Sequence, residues 1–369
     1  PASTDTEAKL VQIWQELLGA DRVGVNDNFF ELGGHSLLAI QLSSKIKHRF
    51  SIKDFPIVHI FKNPTIRQLA GVIAEIAITR DKNQTSHLLL LQPHGNDSPI
   101  FIVPGTFGIS DAYYELAGAF GTDQPVYGLH MQGVLEGEHP LESIEEIAGK
   151  NLEWIRTVQP EGPYKLVGHS LGGIVVYEMI RQLEEKQELI DMAVLLDSNP
   201  ENKTNDEEKR DQMAFLIQHV LQSLPEARHA AICWDLVRKE LPVSSFEDLN
   251  SYVKNMLKEN SIVLKNTDLL ERLFRIIFVN LHIAYRPQKK IRQKLILVKA
   301  QESNWDAYDL SLGWAKWAEI HVTTAPGGHH SMLERENAKC IVEEVRNALR
   351  MAKWGSQPIA VETSPESVL

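Results

Sequence analysis

The segment that most restricts what this chain can fold into is Gly168-His169-Ser170-Leu171-Gly172, a serine with a glycine two residues to either side. It follows the apolar, strand-like run Tyr164-Lys165-Leu166-Val167 and precedes a run from Ile174 to Gln182 whose apolar residues fit a helix. A strand that turns straight into a helix at a serine needs strained backbone at that serine. Glycine neighbours let the two segments approach closely enough to allow it. Such a turn exposes the hydroxyl and aims free helix N–H groups at it, which suits an anionic intermediate. A serine in a glycine-rich loop is the plain alternative, and the strand before and helix after weigh against it.

Beyond residue 90 the pattern supports that reading. Short apolar runs at Ile100 to Val103, Val126 to Leu129, Lys165 to Val167, Ala193 to Leu196, Leu295 to Val298 and Ile320 to Val322 read as strands. Amphipathic stretches such as Ile144, Ile147, Ala148, Leu152 and Ile155 lie between them. The alternation predicts α/β architecture with a mostly parallel, doubly wound sheet. Residues from about 200 to 290 interrupt it with helices and charged connections. They read as a helical lid insertion over the sheet's active edge, a separate helical domain being the alternative.

A serine hydroxyl is a poor nucleophile and needs a base, usually a histidine oriented by a carboxylate. Asp197 closes the run Ala193-Val194-Leu195-Leu196, at the strand end where open sheets place their sites. Glu302, or Asp306, follows the later strand at Leu295 to Val298, and chain order leaves the choice of acid open. His329 and His330 in Pro326-Gly327-Gly328-His329-His330-Ser331-Met332-Leu333 are the base candidates, because a glycine-rich turn after the last strand lifts a histidine above the sheet.

The tetrapeptide Gly-His-Ser-Leu recurs at Gly34-His35-Ser36-Leu37, in different surroundings. Leu38 stands where the second glycine should be, and what precedes is a loop. Leu37, Leu38, Ile40, Ile46 and Phe50 recur at helical spacing with Ser36 at the cap, and composition alone favours a plain helix cap. Upstream, Thr4 and Glu7 make a capping box, Leu10, Ile13, Trp14, Leu17 and Leu18 share one face, and Gly19 is the stop. Downstream, Asn63-Pro64-Thr65 opens a helix striped by Ile66, Leu69, Ile73 and Ile76. The first 78 residues thus predict a small all-α bundle. A polar linker is expected over 79–90, an α/β unit over 91–354, and a disordered Pro-, Ser- and Glu-rich tail over 355–369.

Two resemblances give the serines roles. Asp27-x-Phe29-Phe30-x-Leu32-Gly33-Gly34-His35-Ser36-Leu37 resembles the attachment motif of peptidyl carrier proteins, the thiolation domains of nonribosomal peptide synthetases. It implies that Ser36 carries a 4′-phosphopantetheine arm, installed by a separate phosphopantetheinyl transferase, with an acyl or peptidyl chain on the arm's thiol. Gly168-x-Ser170-x-Gly172-Gly173, Asp197, the helical insertion and Pro326-Gly327-x-His329-x-x-Met332-Leu333 resemble the type I thioesterase domains that end nonribosomal peptide and polyketide synthases. That resemblance implies an α/β-hydrolase fold with Ser170 as nucleophile, His329 as base and Asp197 rather than Glu302 as the orienting acid. It also implies oxyanion donors in the backbone N–H groups of Leu171 and Thr106.

Together they describe the chain-terminating carrier–thioesterase of a modular synthase. Upstream modules deliver the chain, and it leaves Ser170 by hydrolysis or macrocyclisation. A stand-alone serine esterase with an unrelated N-terminal bundle, or a carrier or docking module with an inactive hydrolase scaffold, are the alternative readings.

Composition narrows the setting. At 369 residues there is length for two or three domains, and 43% hydrophobic with 24% charged residues is ordinary for soluble globular protein. A net charge of −11 without a long basic run argues against a nucleic-acid partner. No apolar run is long enough for a membrane span and no signal peptide is visible, so a cytoplasmic location is expected. Cys233 and Cys340 are far apart and show no metal-type spacing, which fits a reduced compartment and no bound metal. Pro1 in place of an initiating methionine reads as a piece of a longer polypeptide.

Overall fold

The computed structural model describes residues 4–34, 36–50, 55, 58–78, 87–202, 205–223, 232–262, 267–303 and 309–351. Most of the expected linker and the whole expected tail, 355–369, lie outside them, as does Asp306.

In the N-terminal unit the capping box forms as its sequence dictates. The Thr4 hydroxyl accepts the Glu7 N–H at 3.1 Å, and Gly19, at φ 65, ends α1 (Asp5–Leu18). Helix α2 (Ser36–Phe50), a short α3 (Val58–Lys62) and α4 (Ile66–Ile78) follow. The Thr65 hydroxyl accepts the Gln68 N–H at 3.3 Å, so Pro64 stands just ahead of α4. Helix α3 was not anticipated, because five residues are too few to display a helical period. Leu10, Trp14, Leu42, Ile46, Ile66 and Leu69 bury their side chains around Phe29. The Trp14 ring meets Phe29 edge-on at 5.0 Å, a geometry that adds to the area buried.

The second unit is built on one seven-stranded sheet. In chain order its elements are β1 (Leu88–Gln92), β2 (Ile100–Val103), α5 (Tyr114–Ala119), β3 (Val126–Leu129), α6 (Ile144–Arg156), β4 (Tyr164–His169), α7 (Leu171–Glu185) and β5 (Ile190–Leu196). Then come α8 (Asp206–Ser223), α9 (Trp234–Glu240), α10 (Phe246–Glu259), α11 (Thr267–His282), β6 (Leu295–Ala300), β7 (Ile320–Ala325) and α12 (Arg335–Met351). The strands lie in the order β1-β3-β2-β4-β5-β6-β7, with β1 antiparallel to β3 and every other pair parallel.

Strand β1 corrects the expected boundary, because Leu88 to Leu90 fall in the stretch read as linker yet pair with β3. Leu89 and Leu91 are buried against the sheet's neighbours, and that apolar burial holds them in place.

Helices cover both faces, which is why the inner strands read as continuous apolar runs instead of alternating. Phe101, Leu166, Leu195 and Leu297 face the core under α6 and α7, while Ile102, Val167, Val194 and Ile296 face the core under α5 and α12. Between β5 and β6, among the described residues, helices α8 to α11 form an insertion with its own apolar centre, including Met213, Ile217, Leu249, Val253, Phe274 and Ile277. Among the described residues no helix is long and apolar enough to cross a membrane.

Candidate active site

Ser170 is the entire connection between β4 and α7. Its backbone sits at φ 55, ψ −123, a conformation that costs an L-residue about 1–3 kcal/mol, and its N–H donates to the Leu196 carbonyl at 2.9 Å. The glycines around it are there for want of room. A Cβ on Gly168 would fall 2.2 Å from the Gly172 carbonyl oxygen, and one on Gly172 would fall 2.2 Å from that of Val103. On Gly173 it would fall 2.4 Å from the Ser198 hydroxyl. The turn is therefore jammed between two neighbouring strands, and only glycine lets the helix start so close behind the serine.

The next strand ends on a carboxylate. Asp197, at φ 44 after β5, is fully buried. Its Oδ1 accepts the Ala300 N–H at 3.0 Å, and its Oδ2 accepts the Ser303 hydroxyl at 2.6 Å and His329 Nδ1–H at 2.7 Å. Burial disfavours the charge, but the hydrogen bonds from His329, Ser303 and Ala300 outweigh it and hold the carboxyl below its ordinary range. With Nδ1–H committed to Asp197, the neutral imidazole of His329 keeps its lone pair on Nε2.

Glu302 lies beside the same loop, its N–H donating to the Gly327 carbonyl at 3.0 Å, but the carboxylate bonded to the imidazole is that of Asp197. His330 is exposed and stacks on Phe215 of α8, with ring centres 5.6 Å apart.

The loop after β2 closes over the serine. A Cβ on Gly105 would lie 3.1 Å from the Ser170 Cβ, so Thr106 stands next to the point of nearest approach. Leu171 opens α7, and its N–H belongs to the first helical turn, where donors have no intrahelical partner. Asn280, from α11 of the insertion, donates to the Thr106 carbonyl at 2.8 Å. Gly108, at φ 70, packs against Ile276. Neither α11 contact, nor the role of Ser303, was legible in the sequence, since nothing local marks a residue more than a hundred positions away as a partner.

Ser36 is the first residue of the 15-residue α2, and His35 before it lies outside the described residues. Gly33 adopts φ 94, and a Cβ on Gly34 would fall 2.4 Å from the Phe29 ring, so glycine holds the loop flat beside the helix start. A phosphodiester joined to Ser36 would sit at the positive end of a helix dipole, so the residues present fit a phosphopantetheine group.

Comparison with known proteins agrees with this division. The model of the thioesterase domain family matches residues 98–349, and that of the phosphopantetheine attachment site matches residues 8–73. A dimodular nonribosomal peptide synthase of Bacillus subtilis is 38% identical over 197 residues, which is 53% of this chain and 8% of that protein. A chondramide synthase of Chondromyces crocatus is 28% identical over 362 residues, 94% of this chain and 9% of that protein. The chain thus spans less than a tenth of either relative's length.

Two solved structures share the fold. A four-domain nonribosomal peptide synthetase in holo form is 23% identical with a TM-score of 0.58, covering 94% of this chain and 26% of that one. The Vlm2 thioesterase domain bound with a dodecadepsipeptide is 20% identical with a TM-score of 0.52, covering 72% of this chain and 98% of that one.

Proposed function

The chain belongs to the thioesterase domain family, and on that premise we propose that it is the terminal carrier–thioesterase of a nonribosomal peptide synthetase, releasing an acyl or peptidyl chain through Ser170. The observation that carries the reading is the 2.7 Å contact between His329 Nδ1 and the buried Asp197, in the loop of a sheet whose neighbouring strand presents Ser170 at φ 55.

Ser36 is the residue that would hold the 4′-phosphopantetheine group. When bound, that group supplies a terminal thiol able to carry a chain as a thioester. In this reading Ser170 Oγ attacks the thioester carbonyl of the chain while His329 Nε2 takes its proton. Asp197 holds the ring with Nδ1–H fixed and stabilises the imidazolium that forms. The negative oxygen of the tetrahedral species is met by the N–H groups of Leu171 and Thr106, each worth about 3 kcal/mol of transition-state stabilisation. As the C–S bond breaks, His329 gives the proton to the departing sulfur and an acyl ester remains on Ser170. A second nucleophile, either water or an amine or hydroxyl of the chain itself, then passes its proton to His329 and attacks the ester, and His329 returns that proton to Ser170 Oγ as the acyl–oxygen bond breaks.

The same reading divides the chain into a carrier ending near residue 78 and a hydrolase from Leu88 to the end of α12. The helices α8 to α11 act as its lid. Upstream synthetase modules and a phosphopantetheinyl transferase are the partners. A cytoplasmic setting is supported by Cys233 and Cys340 both being free.

Mass spectrometry tests both serines at once. Incubation with coenzyme A and a phosphopantetheinyl transferase should add one phosphopantetheine to the full chain, lost in Ser36→Ala. Incubation with a soluble acyl thioester should leave an acyl adduct on Ser170, lost in Ser170→Ala and retained in Ser36→Ala. An acyl adduct that survives Ser170→Ala would sink the reading.

A further inference from the structure

A buried chain of hydrogen bonds runs from the loop after β2 to the loop that carries His329, and the serine, acid and base do not account for it. The Gly105 N–H donates to the Tyr113 phenol oxygen at 3.0 Å, Tyr113 lies 3.1 Å from His169 Nδ1, and His169 Nε2 lies 2.8 Å from the His329 carbonyl oxygen. The donors and acceptors fit in only one direction. A carbonyl can only accept, so His169 Nε2 carries the hydrogen and Nδ1 the lone pair. The Tyr113 oxygen accepts from Gly105, which leaves its own O–H to donate to that lone pair.

Both side chains are buried, at 3% exposure each. Burial, with the rings of His329 and His330 nearby, lowers the His169 pKa to about 3, so the ring stays neutral and the direction of the chain is kept. Burial likewise pushes the Tyr113 phenol above its ordinary value, against the opposing pull of the Gly105 N–H.

Two apolar side chains would fill this space without the penalty of burying polar groups. What the polar pair adds is where its ends are. One end is the N–H of Gly105, the residue pressed against Ser170 and adjacent to Thr106; the other is the backbone of His329 itself. We propose that Tyr113 and His169 are positioning residues, a neutral bridge that fixes the oxyanion loop and the His329 backbone relative to each other and to Ser170. The proposal rests on the serine–histidine reading above. Neither residue hydrogen-bonds to a reacting atom, although the His169 ring lies beside that of His329, with ring centres 4.8 Å apart, so the effect is on geometry, where a shift of about 1 Å can lower a rate about 100-fold. It also gives a reason for the histidine of Gly168-His169-Ser170, whose two ring nitrogens are spent on Tyr113 and the His329 carbonyl.

The test uses the full chain with Tyr113→Phe, His169→Gln and the double variant. Two quantities are read: the rate of acyl transfer from a soluble acyl thioester to Ser170, and the low-field proton resonance of His329 Nδ1–H against Asp197. Each single variant should slow transfer about 10- to 100-fold with KM within about twofold of wild type. The double variant should be no slower than the slower single, as expected for residues that act as one unit. The resonance should move in Tyr113→Phe, whose ring keeps the packing and whose melting midpoint should stay near wild type.

A single-variant rate within twofold of wild type, a loss carried by KM, or a double variant whose loss is the product of the singles would each overturn the bridge. If His169→Gln does not fold, Tyr113→Phe alone decides. If wild-type chain forms no acyl-Ser170, the serine thioesterase reading has failed instead. The bridge is then judged by the resonance, and an unmoved signal in Tyr113→Phe overturns it.

Discussion

Gly34-His35-Ser36-Leu37 and Gly168-His169-Ser170-Leu171 are the same four residues, and the molecule builds two unrelated things from them. At Ser36 a loop closed by Gly33 runs into an ordinary helix start, and the glycine before it makes room for Phe29. At Ser170 a strand ends, the serine alone takes up the strain, and glycines at 168, 172 and 173 make room for neighbouring backbone and side chain. The difference lies in what the flanks pack against. A helix start offers a phosphate a resting place, whereas the elbow stands on the sheet edge where Asp197, after β5, is bonded to His329, after β7.

The largest effect expected within this contrast belongs to the acid, because nothing in the helical unit plays its part among the described residues. Asp197→Asn keeps the shape but turns His329 to the wrong tautomer, and should slow acylation of Ser170 by about 10⁴-fold. Glu302→Gln should stay within about threefold of wild type, since its carboxylate is not the one bonded to the imidazole. Pre-steady-state acylation of both variants checks this. The reverse ranking would move the acid to the end of β6.

The glycines give the next largest effect and break the symmetry of the two motifs directly. In Gly172→Ala the added methyl meets the Val103 carbonyl oxygen, backbone that cannot yield cheaply, at a cost of about 3 kcal/mol. Thermal melting should fall for the sheet unit, and labelling of Ser170 by a fluorophosphonate should slow. Gly34→Ala meets Phe29 and should weaken only the helical unit, leaving that labelling at the wild-type rate. Slower Ser170 labelling in Gly34→Ala would mean that the two serines are not independently built.

Much of this was legible because it is local. Thr4 with Glu7, Gly19, the glycines around Ser170, and the apolar runs of β2 to β7 each declare themselves within a few residues. Even the two serines could be told apart from Leu38 against Gly172. What escaped was set by contacts across the fold. Strand β1 is five residues whose strand character comes from pairing with β3, and α3 is too short to show a period. His169 looked like a variable position between a glycine and a serine, because its partners, Tyr113 and the His329 carbonyl, lie 56 and 160 residues away. The choice between Asp197 and Glu302 was also beyond residue patterns alone, since each follows a strand and the imidazole's bond to Asp197 forms only in the folded sheet; Asp306 lies outside the described residues.

The smallest effect expected is at the other histidine of the pair, and it bears on the register of the loop that serves Ser170. His330 is exposed and stacks on the Phe215 ring, whereas His329 Nδ1 is bonded to Asp197 at 2.7 Å. Removing the His330 ring takes away that contact and leaves the Asp197–His329 hydrogen bond intact. A surface change of this kind is worth about 0.5 kcal/mol, so His330→Ala should lower the rate of Ser170 acylation by about threefold at most. His329→Ala, in the same assay, should lower it by several orders of magnitude. Were His330→Ala the crippling change, the base that distinguishes Ser170 from Ser36 would be the neighbouring ring, and the Asp197 contact would be structural.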